Sequence, residues 1–117
     1  MSELLHIQQK LKVHKGQYNG FGKYNYRSCE DILEALKAPL KATECYIVIS
    51  DDILLVGDRY YIKATVELKK DGKLLESASA FARESLDKKG MDASQITGTS
   101  SSYARKYALN GLFAIDD

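Results

Sequence analysis

Tyr103, Arg105, Lys106 and Tyr107 place aromatic rings and adjacent cations on one short segment near the end of the 117-residue chain, with Ser100, Ser101 and Ser102 just upstream. Rings, cations and small hydroxyls together are what a surface needs to hold a sugar–phosphate backbone while offering π-faces to bases. A second segment has the same character. Lys23, Tyr24, Tyr26 and Arg27 interleave cations with rings, a pattern suited to tracking a single strand by charge and stacking. Each cluster also has a purely structural explanation. Tyr24 and Tyr26 could pack beneath a sheet, leaving only the cations wet. Tyr103 and Tyr107, spaced i, i+4, share a helix face that could be core. For Arg105 and Lys106 the alternatives are a solvated face, a phosphate contact or an ion pair between subunits.

Other chemistries find little support. A nucleotide-binding loop needs four residues between its first glycine and Gly-Lys, then Ser or Thr. Here Gly16 stands one residue too far from Gly22-Lys23, and Tyr24 follows. A dinucleotide fingerprint fails too, because no third glycine follows and no strand precedes. His6 and His14 have no further ligand at metal-binding spacing, and Cys29 and Cys45 make neither a disulfide framework nor a zinc motif. No nucleophile–base arrangement is supported beyond the presence of the residue types. The expectation is a protein that is not an enzyme and takes no cofactor and no metal.

These residues must be positioned by a single small domain, large enough to bury a core. The composition is globular, with 44% hydrophobic and 28% charged residues and one proline, Pro39. No apolar run reaches the ~18–20 residues of a membrane span. The first residues, Met-Ser-Glu-Leu-Leu-His, lack a signal-peptide pattern, which predicts a cytoplasmic location. Net charge is only +1, but it is segregated. Residues 1–27 carry five cations against Glu3, a local +4; residues 28–58 carry two cations against seven anions, a local −5. Such segregation suits a groove on one side or a head-to-tail contact between copies.

Along the chain, Leu4, Leu5, Gln8, Leu11 and Lys12 follow a helical rhythm and predict a helix over about 3–14. The glycines and asparagines of residues 15–27 predict a loop. Ser28 with Asp31 resembles an N-cap, opening a helix that runs to about Ala38, where Pro39 loosens or ends it. The period then changes to two. Cys45–Ile49 reads as a strand, broken by Asp51-Asp52 before Ile53–Val56. Gly57-Asp58 is a turn. From Arg59 to Lys69, Ile62, Ala64, Val66 and Leu68 share one face. Asp71-Gly72 predicts a type I′ hairpin pairing Lys70 with Lys73 and Ile62 with Phe81. The return strand runs to about Leu86, its alanines and serines allowing close approach of another element. After Lys88-Lys89-Gly90, Ser94 caps a last helix over Gln95–Leu112. Ile96, Tyr103 and Tyr107 fall near one stripe that covers the sheet, with Ala104 and Ala108 beside it, Arg105 and Ser102 pointing away and Lys106 on the flank. The fold class expected is α+β, a three-stranded antiparallel meander flanked by helices.

Two long blocks, Phe21 to Leu36 and Lys89 to Asp117, resemble the ERF family, the "essential recombination function" proteins of temperate bacteriophages and prophages. The resemblance implies an ATP-independent single-strand annealing protein, working in the cytoplasm of a bacterial host and pairing complementary DNA strands in homologous recombination. It implies a β-β-β-α core related to eukaryotic annealing proteins of the Rad fifty-two type, assembled into a ring or filament. A host or phage single-strand-binding protein or exonuclease would be a further partner. The wider group lines its DNA groove with cations on the last helix. That role carries over to Arg105, with Lys106 beside it, although Ser101 and Ser102 stand where the group has further cations. Family members continue past Ile-Asp-Asp into a variable C-terminal region, so the chain is expected to be a core without it. The DNA-binding set is then Arg105, Lys106, Tyr103, Lys23, Tyr24, Tyr26 and Arg27. The rival from another class is an interaction or oligomerisation module without annealing activity; a metal-dependent nuclease is third.

Overall fold

The computed structural model describes residues 2–84 and 92–116. Its elements run α1 (Glu3–Lys10), β1 (Gln17–Asn19), β2 (Tyr24–Tyr26), α2 (Cys29–Thr43), β3 (Tyr46–Val56), β4 (Arg59–Lys70), β5 (Lys73–Arg83) and α3 (Ala93–Phe113). Strands β3, β4 and β5 form an antiparallel meander in that order, and β1 and β2 form a separate hairpin. The class is α+β, as the sequence predicts.

Several boundaries differ from the sequence expectation, each for a local reason. The first helix is capped by Ser2, whose hydroxyl accepts the Leu5 N–H at 3.1 Å, but it stops at Lys10 rather than residue 14. Beyond it Leu11 and Val13 turn toward the core while Lys12 and His14 face water, an alternation that only extended chain can satisfy. The 15–27 segment is not all loop, because it contains the β1–β2 hairpin. Helix α2 opens on the capping box, with Asp31 N–H donating to Ser28 Oγ at 3.1 Å and Ser28 N–H to Asp31 Oδ2 at 2.8 Å. These bonds hold the Asp31 carboxyl below its usual pKa. The helix does not end near Ala38. It runs through Pro39, whose buried ring packs on the core side, to a left-handed Glu44 (φ 58°), where Cys45 N–H reaches back to Leu40 O at 3.0 Å.

Strand β3 is continuous through Asp51-Asp52, contrary to the expected break. The two carboxylates point to opposite faces: Asp51 meets Arg105 of α3, and Asp52 stands opposite Lys63 of β4. The β4–β5 turn places Asp71 at φ 53° and Gly72 at φ 77°, both positive as type I′ demands, and Lys70 pairs with Lys73. A register shift just past the turn inserts one residue into β5, so Ile62 lies opposite Ala82 rather than Phe81. The predicted strand end near Leu86 and the Lys88-Lys89-Gly90 turn lie outside the described residues, as does the side chain of Ser94; α3 itself begins at Ala93.

All three helices lie on the face of the sheet that carries Ile62, Ala64, Val66 and Leu68. Helix α3 covers it with Ile96, Ala104, Ala108, Leu109, Leu112 and Phe113; Ile7 of α1 and Ile32 and Leu36 of α2 complete the core. The tyrosines expected in this cover, Tyr103 and Tyr107, are not part of it. They are 49% and 46% exposed. The opposite face of the sheet, bearing Val48, Thr65, Ser79 and Phe81, is left open, and the molecule is only 18 Å through its thinnest dimension. Because Ser28 supplies half of the capping box, Ser28→Ala should lower stability by about 1 kcal/mol, read as an earlier urea-unfolding midpoint with an unchanged slope.

Candidate nucleic-acid interface

The β1–β2 hairpin is organised by one side chain. Asn19 Oδ1 accepts the N–H groups of Phe21 and Gly22, both at 3.0 Å, and its Nδ2 donates to the Tyr24 hydroxyl at 3.0 Å. Lys23 closes the turn in the left-handed region (φ 55°), its N–H reaching Asn19 O at 2.7 Å. Gly22 is needed for space: a Cβ there would stand 2.3 Å from Tyr24 Cε1. The hairpin therefore presents Tyr24 in a defined place, with the Tyr26 ring 6.0 Å away centroid to centroid.

Helix α3 faces this hairpin with the side it turns away from the sheet. Tyr103 and Tyr107 lie nearly parallel, 18° between planes and 6.4 Å between centroids. Lys106 extends from α3 over the Tyr26 ring, its Nζ 5.8 Å from the centroid, a cation–π contact that joins the two walls. Between them opens a cleft of about 600 Å³ lined by Tyr24, Tyr26, Tyr103, Tyr107, Lys106 and Ser102, among others. Glu30 and Cys29, at the start of α2, form part of its floor. Burial raises the pKa of the Cys29 thiol, with Glu30 and Asp51 adding to the rise while Arg105 and Lys106 oppose it.

Of the sequence-predicted residues, Tyr24, Tyr26, Arg27, Tyr103 and Lys106 line this cleft. Lys23 sits exposed in the hairpin turn. Arg27 is largely buried at the edge of the cleft, its guanidinium committed to other parts of the chain. It is 6% exposed, donates through Nε to Val13 O at 3.2 Å, and binds both the backbone carbonyl and the carboxylate of Asp116. Arg105 lies on the other flank of α3, forked onto Asp51. The structure adds residues that composition did not single out. Thr99 and Asn25 line the cleft, and Phe21 stands fully exposed at the hairpin tip. The Gly-Phe-Gly flanking of Phe21 was the available signal, since glycines on both sides leave a ring nothing to pack against. Among the described residues no group of three or more His, Cys, Asp or Glu side chains converges as metal ligands would, and no helix is long and apolar enough to cross a membrane.

A family model described as the ERF superfamily matches residues 1–117. The chain belongs to the ERF superfamily. It is 60% identical over 116 residues to the "Essential recombination function protein" of Salmonella phage P22, an alignment covering 99% of this chain and 55% of that relative. The chain thus spans about half the length of the curated relative it matches. No solved structure matches it significantly. In this ERF-superfamily chain most of the cleft lining, from Tyr24 to Glu30 and from Thr99 to Tyr107, falls within the two blocks that carry the family resemblance.

The different surroundings of Arg27 and Lys23 separate packing from surface roles. Arg27→Met should lower stability by about 2 kcal/mol, because it removes the part-buried hydrogen bonds of the guanidinium to Val13 and Asp116. Lys23→Met should change it by no more than about 0.5 kcal/mol. Urea unfolding of both variants checks the contrast.

Proposed function

We propose that this ERF-superfamily chain binds single-stranded DNA in the cleft between the β1–β2 hairpin and α3, and promotes annealing of complementary strands during phage recombination without nucleotide hydrolysis. The observation that carries this is that four tyrosine rings and Lys106 line one cleft, with Lys106 seated over the Tyr26 ring. Rings offer faces to any base, and the cation neutralises phosphate. Stacking leaves the pairing edges of the bases free. A second strand can then test complementarity, and base pairing itself supplies the free energy, ~1.4 kcal/mol per step on average. The name of the P22 relative, "Essential recombination function protein", supports placing this activity in recombination.

We further propose that the chain works as a homo-oligomer, in a ring or short filament. Neither outer edge of the meander is paired with another strand among the described residues, and the β3–β4 hairpin end exposes Ile53, Leu55, Val56 and Tyr60. Unpaired edges and apolar ends invite a partner strand. A head-to-tail contact would also bring the basic residues 1–27 of one copy near the acidic residues 28–58 of the next. A host or phage single-strand-binding protein or exonuclease remains a candidate second partner that the C-terminal region of longer relatives could recruit.

Lys106→Ala should weaken oligonucleotide binding and lower the slope of log affinity against log salt by about 0.7 for each phosphate no longer neutralised. Tyr103→Ala should cost ~1–3 kcal/mol for a stacked base. Fluorescence anisotropy with a labelled oligonucleotide reads both, and unchanged affinity in folded variants would remove the cleft from consideration. Sedimentation at micromolar concentration should report a mass many times 13.1 kDa. A monomer with and without DNA would exclude the assembled form.

A further inference from the structure

Asp51, Ser101 and Arg105 make up a second polar constellation next to the cleft. Asp51 lies on the helix-covered face of the sheet, opposite Ala64 of β4. Arg105 Nε donates to Asp51 Oδ1 at 3.1 Å, Arg105 Nη2 to Oδ2 at 3.1 Å, and Ser101 Oγ to Oδ2 at 2.6 Å. A guanidinium fork and a hydroxyl thus converge on the two oxygens of one anion. A phosphodiester presents the same two-oxygen face to such a fork, with the same charge.

We infer that Arg105 and Ser101 form a phosphodiester-binding site whose resident occupant is the chain's own Asp51 carboxylate, which a nucleic-acid backbone must displace. The inference rests on the DNA-binding role proposed above. Three observations support it. The pair is open to solvent, with Arg105 and Asp51 side chains 38% and 25% exposed. Asp51 takes two of the five N–H donors that a guanidinium carries, so the cation is not exhausted. Ser101 and Arg105 are each followed by a cleft residue, Ser102 and Lys106, so a backbone crossing α3 would meet the two cations in succession. The Asp51 carboxyl is also held in its charged form. Burial works against ionisation, but the bonds from Arg105 and Ser101 outweigh it and leave the pKa below the usual carboxylate value. A carboxylate that stays ionised competes with phosphate at all neutral pH values. In consequence the strand is held less tightly than the cations alone would hold it, which favours the sliding and release that strand pairing requires.

The test compares wild type, Asp51→Asn, Asp52→Asn and the double variant Asp51→Asn/Arg105→Ala in anisotropy titrations with a labelled oligo-dT over a range of salt. Asp52→Asn removes the same charge from the open face of the sheet, opposite Lys63, and controls for net charge. Asp51→Asn should bind roughly fivefold tighter, the scale of one exposed ion pair released, with a salt slope steeper by about 0.7. Asp52→Asn should change affinity by less than about twofold, and the double variant should lose the gain. Asp51→Ser carries the same expectation should the Asn variant not fold. If folded Asp51 variants bind no tighter than wild type, the pair is only a strut between α3 and β3 and the inference fails while the cleft assignment stands. Equal gains from Asp51→Asn and Asp52→Asn would also overturn it, leaving net charge as the cause. If neither wild type nor any variant binds the oligonucleotide, the DNA-binding role falls and this inference falls with it.

Discussion

Ala78, Ala80 and Ala82 of β5 line the inner face of the sheet, and Ser100, Ala104 and Ala108 of α3 are turned toward it. Small side chains on both sides let the helix lie close to the strands, and close packing leaves little freedom in its rotation. Everything else on α3 follows from that setting. The side turned from the sheet carries Tyr103, Lys106 and Tyr107 into the cleft, and the flank facing β3 sets Ser101 and Arg105 onto Asp51. A larger residue at Ala104 or Ala108 would tilt the helix and separate both groups from their partners, although neither alanine touches the cleft.

The opposite wall depends on a buried cation. Arg27 follows directly on β2 and joins three stretches of chain: the connection after α1 through Val13, the start of α2, and the final residues through Asp116. A guanidinium removed from water is tolerable only when its donors are matched by acceptors, and here backbone carbonyls supply them. The same residue type that serves on surfaces for phosphate here fixes the hairpin to the body of the domain. The adjacent capping box at Ser28 fixes the first turn of α2, which forms the cleft floor at Cys29 and Glu30. The rings of Tyr24 and Tyr26 are thereby presented from a short two-stranded sheet that would be marginal alone.

What could be read in the sequence followed from local physics. The capping box, the alternation of β4 and the type I′ turn are each encoded within a few residues, and the structure has all three. The features that differ depend on distant partners. Asp51-Asp52 looks like a strand breaker until Arg105, 54 residues away, neutralises one carboxylate. The β1 and β2 strands have three residues each, too few for a period to appear. Large rings at helical spacing, such as Tyr103 and Tyr107, point to core because that is where rings usually pack. A helical wheel puts Ala104 and Ala108 beside the tyrosines, but it cannot show that the alanines do the covering in their place when the facing strand is itself alanine-lined. For the candidate site, the residue types were legible in both segments, whereas the division among them was not: Lys106 faces the rings, Arg105 faces Asp51 and Arg27 is committed to Val13 and Asp116.

That division sets the balance of forces in the proposed DNA site. With Arg27 paired to Asp116 and Arg105 to Asp51, Lys106 is the sequence-predicted cation that reaches a ring, and Lys15 and Glu30 share the same cleft. The local field is therefore modest, consistent with a net charge of +1. Affinity at one cleft must then come in large part from ring faces, which are indifferent to sequence. A strand held by stacking more than by charge keeps much of its own negative potential, and a second strand approaching it is still repelled. In the proposed oligomer, repetition of the cleft would resolve the conflict. Each added copy would bring its own cations along the same backbone, reducing the phosphate charge in proportion to the length bound, while no single contact would become strong enough to stop the bases from changing partners.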